Sequence, residues 1–164
     1  MTLAARPASP DDAPILAQIY NEGIEDRVGT FETRPRTVQD VAAWFDGIHP
    51  IVAVEADGAV VAFAATSSYR SRECYAGIAE FSVYVARPAR GQGAGTVAMR
   101  ALLEAVKPAG IWKLVSRIFV ENHASRRLMA SMGFREVGIY EKHARLDGQW
   151  RDVVIVERLI PENL

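Results

Sequence analysis

The sequence predicts an α+β domain, and three observations predict it. Asp57-Gly58 and Asp147-Gly148 each lie between two strand-like runs, as the turn of a tight hairpin does. Between those hairpins an alternating strand passes through a glycine-rich loop into a helical segment. Capped helical patterns are interspersed among the strands, and no repeat or Pro/Gly/Ser linker divides the chain, so residues 1–164 are expected to form one domain.

Met1 to Arg6 reads as the first strand. Ser9-Pro10-Asp11-Asp12 then supplies an N-cap, a proline at N1 and acids in the first turn, so a helix follows with Ile15, Ile19 and Gly23 on one stripe. Thr37-Val38-Gln39-Asp40 is a second capping box, opening a short helix that carries Val41, Trp44 and Phe45. "IVAVEADGAVVAFAA" is the first hairpin, its Asp-Gly pair favouring positive φ. From Ala79 to Val85, Glu80, Ser82 and Tyr84 alternate with Ala79, Phe81, Val83 and Val85, the pattern of a half-buried strand. A helix over 96–107 buries Met99, Leu102, Leu103 and Val106. "KLVSRIFV" is a strand, Ala124 to Met132 a helix, and strands around Val137 to Arg145 and Asp152 to Leu159 close the chain.

A length of 164 residues with 49% hydrophobic content suits a single core. A formal net charge of -1 argues against nucleic acid or an anionic membrane as partner and favours a small molecule. Cys74 is the one cysteine, which excludes an internal disulfide and a cysteine zinc cluster and suits a reducing compartment. No metal is expected. The sequence shows no apolar run long enough to span a membrane and no signal-peptide core, so the cytoplasm is the expected location.

The passage from Val85 to Thr96 contains Gly91, Gly93 and Gly95, with Arg87 and Arg90 beside them. A loop entering a helix exposes N–H groups that lack internal partners and carry the positive end of the helix dipole. Glycines admit oxygens close to that backbone, so a pyrophosphate is the natural occupant, against the alternative of a solvated turn. The spacing is neither G-x-G-x-x-G nor G-K-[ST]-terminated, which disfavours nicotinamide and nucleoside triphosphate ligands.

Arg90-Gly91-Gln92-Gly93-Ala94-Gly95 resembles the R/Q-x-x-G-x-G/A signature of the GNAT superfamily of N-acetyltransferases. Asn122-His123-Ala124-Ser125, followed by Leu128 and Gly133-Phe134, is similar to that family's downstream segment. The resemblance implies a GNAT fold, a mixed and mostly antiparallel sheet splayed in its middle, with acetyl-CoA in the opening. It further implies that the backbone of Val83 and Val85 holds the pantetheine arm, that Arg90, Gly91, Gln92, Gly93, Gly95 and Thr96 bind the pyrophosphate, and that Asn122 and Ser125 contact the arm's far side. "IYNEGIEDRVGTFETRP", "YRSRECY", "AEFSVYV" and "DGQWRDV" are similar to the phosphinothricin acetyltransferase group. Within it, "NEGIEDRVGTFETRPRT" and "RRLMASMGF" resemble the arsinothricin-resistance branch, associated with arsenic detoxification.

An ammonium must lose a proton before its nitrogen attacks a thioester, so a carboxylate beside the split is needed as base. Glu80 stands in that position, and the alternative for it is a structural pair with an arginine. A strand amide, that of Val83, would meet the oxyanion. Where relatives carry tyrosine or histidine to protonate the departing thiolate, this chain has Met129, leaving water, Tyr84, Tyr140 or an unprotonated thiolate. The histidine that phosphinothricin enzymes carry before the late glycine is here Asp147, so its role does not transfer, and His143 reads as a surface or substrate-loop residue.

Arg70 and Arg72, two apart in extended chain, can grip carboxylate, arsinate or phosphinate oxygens bidentately. Phe31 and Tyr75 match family positions that wall the amino-acid pocket, with ordinary core packing as the alternative. Lys142 and Arg145 would add positive field, whereas Trp150 and Asp152 read as structural. Three functions remain open: N-acetylation of an oxyanion-bearing amino acid, acetylation of another amine such as methionine sulfoximine, a polyamine or a peptide N-terminus, and CoA sensing without turnover. The resemblance also implies a homodimer.

Overall fold

The computed structural model describes residues 2–164; the strand start expected at Met1 lies outside them. Strand β1 spans Leu3–Pro7 and helix α1 spans Ala13–Glu25, entered through a single 3-10 turn at Pro10–Asp12. Helix α2 covers Val38–Ala42, with Thr37 Oγ1 accepting from the Asp40 amide at 3.1 Å and Asp40 accepting from the Thr37 amide at 2.9 Å. Trp44 and Phe45, expected on this helix, follow it in a turn.

Strands β2 (Ile51–Ala56) and β3 (Ala59–Ser68) form the first hairpin, whose Asp57 and Gly58 take φ of 52° and 83°, the positive pair a two-residue turn needs. Asp147 and Gly148 repeat that conformation at 51° and 78° between β6 (Arg135–Leu146) and β7 (Gln149–Leu159). Between the hairpins come β4 (Ile78–Val85), α3 (Ala94–Ala105), β5 (Lys113–Phe119) and α4 (His123–Ser131). Among the described residues the seven strands form one sheet in the order β1-β2-β3-β4-β5-β7-β6. All neighbours run antiparallel except β4 and β5.

Helices cover both faces of the sheet's centre. On one, Val54, Ala62, Ala64, Ala79 and Phe81 pack against Met99, Leu102 and Val106 of α3 and its C-terminal end, and against Met129 of α4. On the other, Phe63, Ala65 and Tyr84 pack against Leu16, Ile19 and Val41. The half-buried reading of β4 is thereby corrected. Its Tyr84, placed with the polar side by alternation, is 8% exposed because α1 lies across that face. Gly23 permits the approach, since a Cβ there would stand 2.8 Å from the Tyr84 ring. Burial pushes the Tyr84 phenol's pKa well up.

Candidate active site

The parallel strands β4 and β5 pair only from Ile78–Lys113 to Glu80–Val115 and then diverge. Glu80 is the last residue of β4 paired with β5, so it stands where the sheet opens. Ser116 Oγ of β5 donates to the Phe81 carbonyl at 2.9 Å, while the Ala86 amide donates to Val61 on the β3 side at 2.7 Å. By the alternation of a strand, the N–H and C=O groups of Val83 and Val85 therefore turn to that same side, into the opening. Beyond Glu80–Val115, β4 and β5 no longer pair.

The loop after β4 forms the far wall. Gly91 and Gly93 have φ of 76° and 90°, and a Cβ on either would meet nothing within 4 Å. The backbone's left-handed turn requires glycine at both, and their exposed side is open space. Gly95 differs: a Cβ there would lie 3.3 Å from Leu128 Cδ2, so its missing side chain lets α3 pack against α4. Gly93 caps α3 without a side-chain hydrogen bond, leaving the helix's first amides, Thr96 among them, free to meet an anion.

The arginines are disposed otherwise than the sequence suggests. Arg87 grips Asp26 with bonds of 2.9 and 3.0 Å, and Arg90 donates to Asp26 at 2.6 Å and to the Val85 carbonyl at 3.2 Å. The two guanidinium groups hold the Asp26 carboxyl down to about 2 and fasten the end of α1 to the loop. Attraction for an anion at this loop thus rests mainly on backbone amides. Gln92 turns its side chain to the Pro88 carbonyl at 3.3 Å and is not part of the cleft wall. Asn122 caps α4 by accepting from the Ser125 amide and donates to the Val28 carbonyl at 3.0 Å.

Val83, Val85, Arg90, Gly91, Gly93, Gly95, Thr96, Asn122 and Ser125 line one cleft of about 440 Å³, together with the buried Met129. Free amides, glycine turns facing open space and an unpaired strand edge fit a pyrophosphate joined to an amide-bearing arm.

A second, larger cleft of about 1360 Å³ contains Phe31, Arg70, Arg72, Tyr75 and Glu80. It shares Phe81, Ser82, Ser116 and Arg117 with the first, so the two spaces meet where β4 and β5 part. Phe31 packs edge-on against Phe119 with ring centres 5.0 Å apart, and Tyr75 against Tyr69 at 6.1 Å. Arg70 lies over the Tyr69 ring at 4.8 Å, and neither Arg70 nor Arg72 is in an ion pair among the described residues. The register of β6 shifts between Tyr140 and Ala144; Lys142 takes a φ of 48° and its amide donates to Asp152 at 2.7 Å. This bulge puts Tyr140 and His143 on the cleft wall, with Asp152 in the structural role expected of it. Lys142 and Arg145 do not reach the cleft; Arg145 stacks on Trp150 at 4.4 Å.

Arg117, Lys113 and Glu157 also line this cleft and were not singled out from sequence. Arg117 Nη2 lies 3.4 Å from Glu80 Oε1, and Glu157 is held by Lys113 at 2.9 Å and Arg135 at 2.7 Å, which lowers its pKa. The signal for Arg117 was the alternation Lys113, Val115, Arg117 along β5. Cys74 is exposed, and no cluster of His, Cys, Asp or Glu among the described residues suits a metal ion.

Comparison with known proteins places this geometry. A model of the acetyltransferase (GNAT) domain matches residues 2–135. A phosphinothricin N-acetyltransferase of Streptomyces coelicolor is 33% identical over 160 residues, covering 93% of this chain and 94% of the relative. An L-methionine sulfoximine/L-methionine sulfone acetyltransferase of Pseudomonas aeruginosa is 30% identical over 162 residues, covering 96% of this chain and 94% of its own. The crystal structure of a GNAT superfamily phosphinothricin acetyltransferase from Sinorhizobium meliloti in complex with AcCoA superposes with a TM-score of 0.89 at 27% identity, covering 97% of this chain and 89% of that one.

Proposed function

The chain belongs to the acetyltransferase (GNAT) family, whose acyl donor is acetyl-CoA, and on that premise we propose that it acetylates the α-amine of a small amino acid bearing a tetrahedral oxyanion, arsinothricin or phosphinothricin, and so confers resistance to it. One observation carries the reading: the groove suited to the donor opens, beside Glu80, onto a cleft that contains Arg70, Arg72 and Arg117.

Acetyl-CoA supplies a thioester carbonyl open to attack by a neutral amine. In this reading the β4 edge at Val83 and Val85 holds the arm, and the amides from Gly91 to Thr96 hold the pyrophosphate. Arg90 shapes that loop through Asp26 and Val85, Gln92 closes its turn, and Asn122 and Ser125 border the arm's far side. Glu80 accepts the ammonium's proton, directly or through water. The Val83 amide, facing the opening, donates to the oxyanion that develops there. Met129 has no proton to give. Of the two tyrosines, Tyr84 lines the donor groove and Tyr140 does not, but the raised pKa of Tyr84 makes it a poor acid. The thiolate therefore takes its proton from water or leaves without one.

Phe31 and Tyr75 wall the amino-acid cleft, and Arg70 and Arg72 take the oxyanion. Methionine sulfoximine is the alternative substrate, since a relative at 30% identity carries that name. The proposal includes a cytoplasmic homodimer: at the sheet's edge β6 leaves Ile139 54% exposed on one face and Val137 and Tyr140 46% and 51% exposed on the other, beside the cleft, apolar surface that a second copy packed on this edge would cover.

The test is thiol release from acetyl-CoA with arsinothricin, phosphinothricin, methionine sulfoximine, ordinary amino acids and spermidine. Preference for the first two supports the proposal, and preference for methionine sulfoximine selects the alternative. Acetyl-CoA binding without turnover of any amine would replace both with a sensor role.

A further inference from the structure

The pair between Glu80 and Arg117 is looser than its neighbours. Its atoms are 3.4 Å apart, the two side chains are 34% and 44% exposed, and the pair is absent from the protein's hydrogen bonds. By contrast Lys113 and Arg135 hold Glu157 at 2.9 and 2.7 Å on the same sheet, and Arg126 grips Glu136 at 2.8 and 2.9 Å. A single contact of that length between accessible groups adds little to stability, so folding does not account for it. Its position does suggest a use. Glu80 pairs in register with Val115, and Arg117 lies one alternation further along β5, where the strands part. Glu80 lines the larger cleft, and Arg117 lines both.

A free α-amino acid carries an ammonium and a carboxylate on one carbon. Glu80 and Arg117 present the opposite charges side by side, with a second carboxylate oxygen and most of the guanidinium's five N–H donors unengaged. Resting on the acetyltransferase reading above, we propose that Glu80 and Arg117 together recognise the zwitterionic head of the substrate, Glu80 taking the ammonium and Arg117 the carboxylate. Substrates are thereby restricted to free α-amino acids. When the ammonium gives its proton to Glu80, the attraction between Glu80 and Arg117 falls away while the substrate carboxylate keeps its cation. Arg70 and Arg72 are left for the oxyanion at the side chain's far end. A peptide N-terminus, an amino-acid amide or a simple amine has no carboxylate at that carbon and leaves Arg117 unanswered.

The experiment compares phosphinothricin, its α-carboxamide and the corresponding decarboxylated amine as acceptors for the wild type, Arg117→Ala and Arg117→Lys, with acetyl-CoA kinetics alongside. The wild type should prefer the free acid. Loss of a charged hydrogen-bonding partner in Arg117→Ala should raise the KM for the free acid by about 10- to 100-fold more than that for the amide, so that the preference collapses. Arg117→Lys should restore part of it. Equal losses for acid and amide, or a matching rise in the KM for acetyl-CoA, would assign Arg117 to holding Glu80 or the donor and overturn the proposal. A wild type that acetylates the amide as well as the acid would overturn it while leaving acetyl transfer in place. A wild type that acetylates no amino acid or derivative would remove the acetyltransferase reading and this proposal with it.

Discussion

Replacing Gly93 with alanine isolates what the loop's glycine contributes. Its φ of 90° is a conformation L-residues avoid, and an added Cβ would meet no protein atom within 4 Å, so the penalty is backbone strain and not a clash. That strain is about 1–2 kcal/mol. The loop of the free protein can relax it by shifting, but presenting the α3 amides to a pyrophosphate restores the turn, so the cost appears in binding. At about 1.4 kcal/mol per tenfold, the Kd for acetyl-CoA should rise roughly 5- to 30-fold. Gly95→Ala is the control. Its Cβ would stand 3.3 Å from Leu128 Cδ2 but needs no left-handed φ, so affinity should fall less than in Gly93→Ala. Titration calorimetry with acetyl-CoA, beside a thermal melt of each variant, reads both effects. Unchanged affinity in a folded Gly93→Ala protein, or equal losses in the two variants, would refute the reasoning.

Glu80→Gln should lower kcat by about 10²- to 10⁴-fold with acetyl-CoA affinity unchanged by calorimetry, and retained turnover would remove Glu80 as base. Arg72→Ala should raise the KM for an oxyanion-bearing amino acid and not that for acetyl-CoA; equal rises in steady-state kinetics would point to a folding role. Gly77→Ala places a Cβ 2.0 Å from the Trp112 ring, and the displaced indole should cost about 1–3 kcal/mol, seen as a Tm lowered by several degrees. Because Asp26 is held down to about 2 by Arg87 and Arg90, the stability it contributes is complete above the ordinary carboxylate value of 3.8 and is lost as pH falls toward 2. Urea midpoints measured across that window should fall less steeply in Asp26→Asn than in the wild type.

The elements were legible to within a few residues because their signals are local. Asp57-Gly58 and Asp147-Gly148 adopt the expected positive φ, the Thr37–Asp40 box closes as written, and the helix after the glycine loop differs by two residues at each end. Alternation put Tyr84 on the right face, but the burial of that face was not legible. Alternation says which side of a strand a residue takes, not whether a helix from another part of the chain will cover that side.

The sequence by itself determined the strand–loop–helix unit, the turns, the glycines at 91 and 93, and a carboxylate at position 80, since each depends on residues a few positions apart. Tertiary structure alone decided how the arginines are used. Arg90, in the motif, is tied to Asp26 sixty-four positions away, whereas Arg117, outside any motif, stands loosely beside Glu80 at the junction of two clefts. Charge on a side chain is a local property, but whether that charge is neutralised or left open to a ligand depends on distance through space. Those distances exist only after α1 has docked on the loop and β4 has met β5.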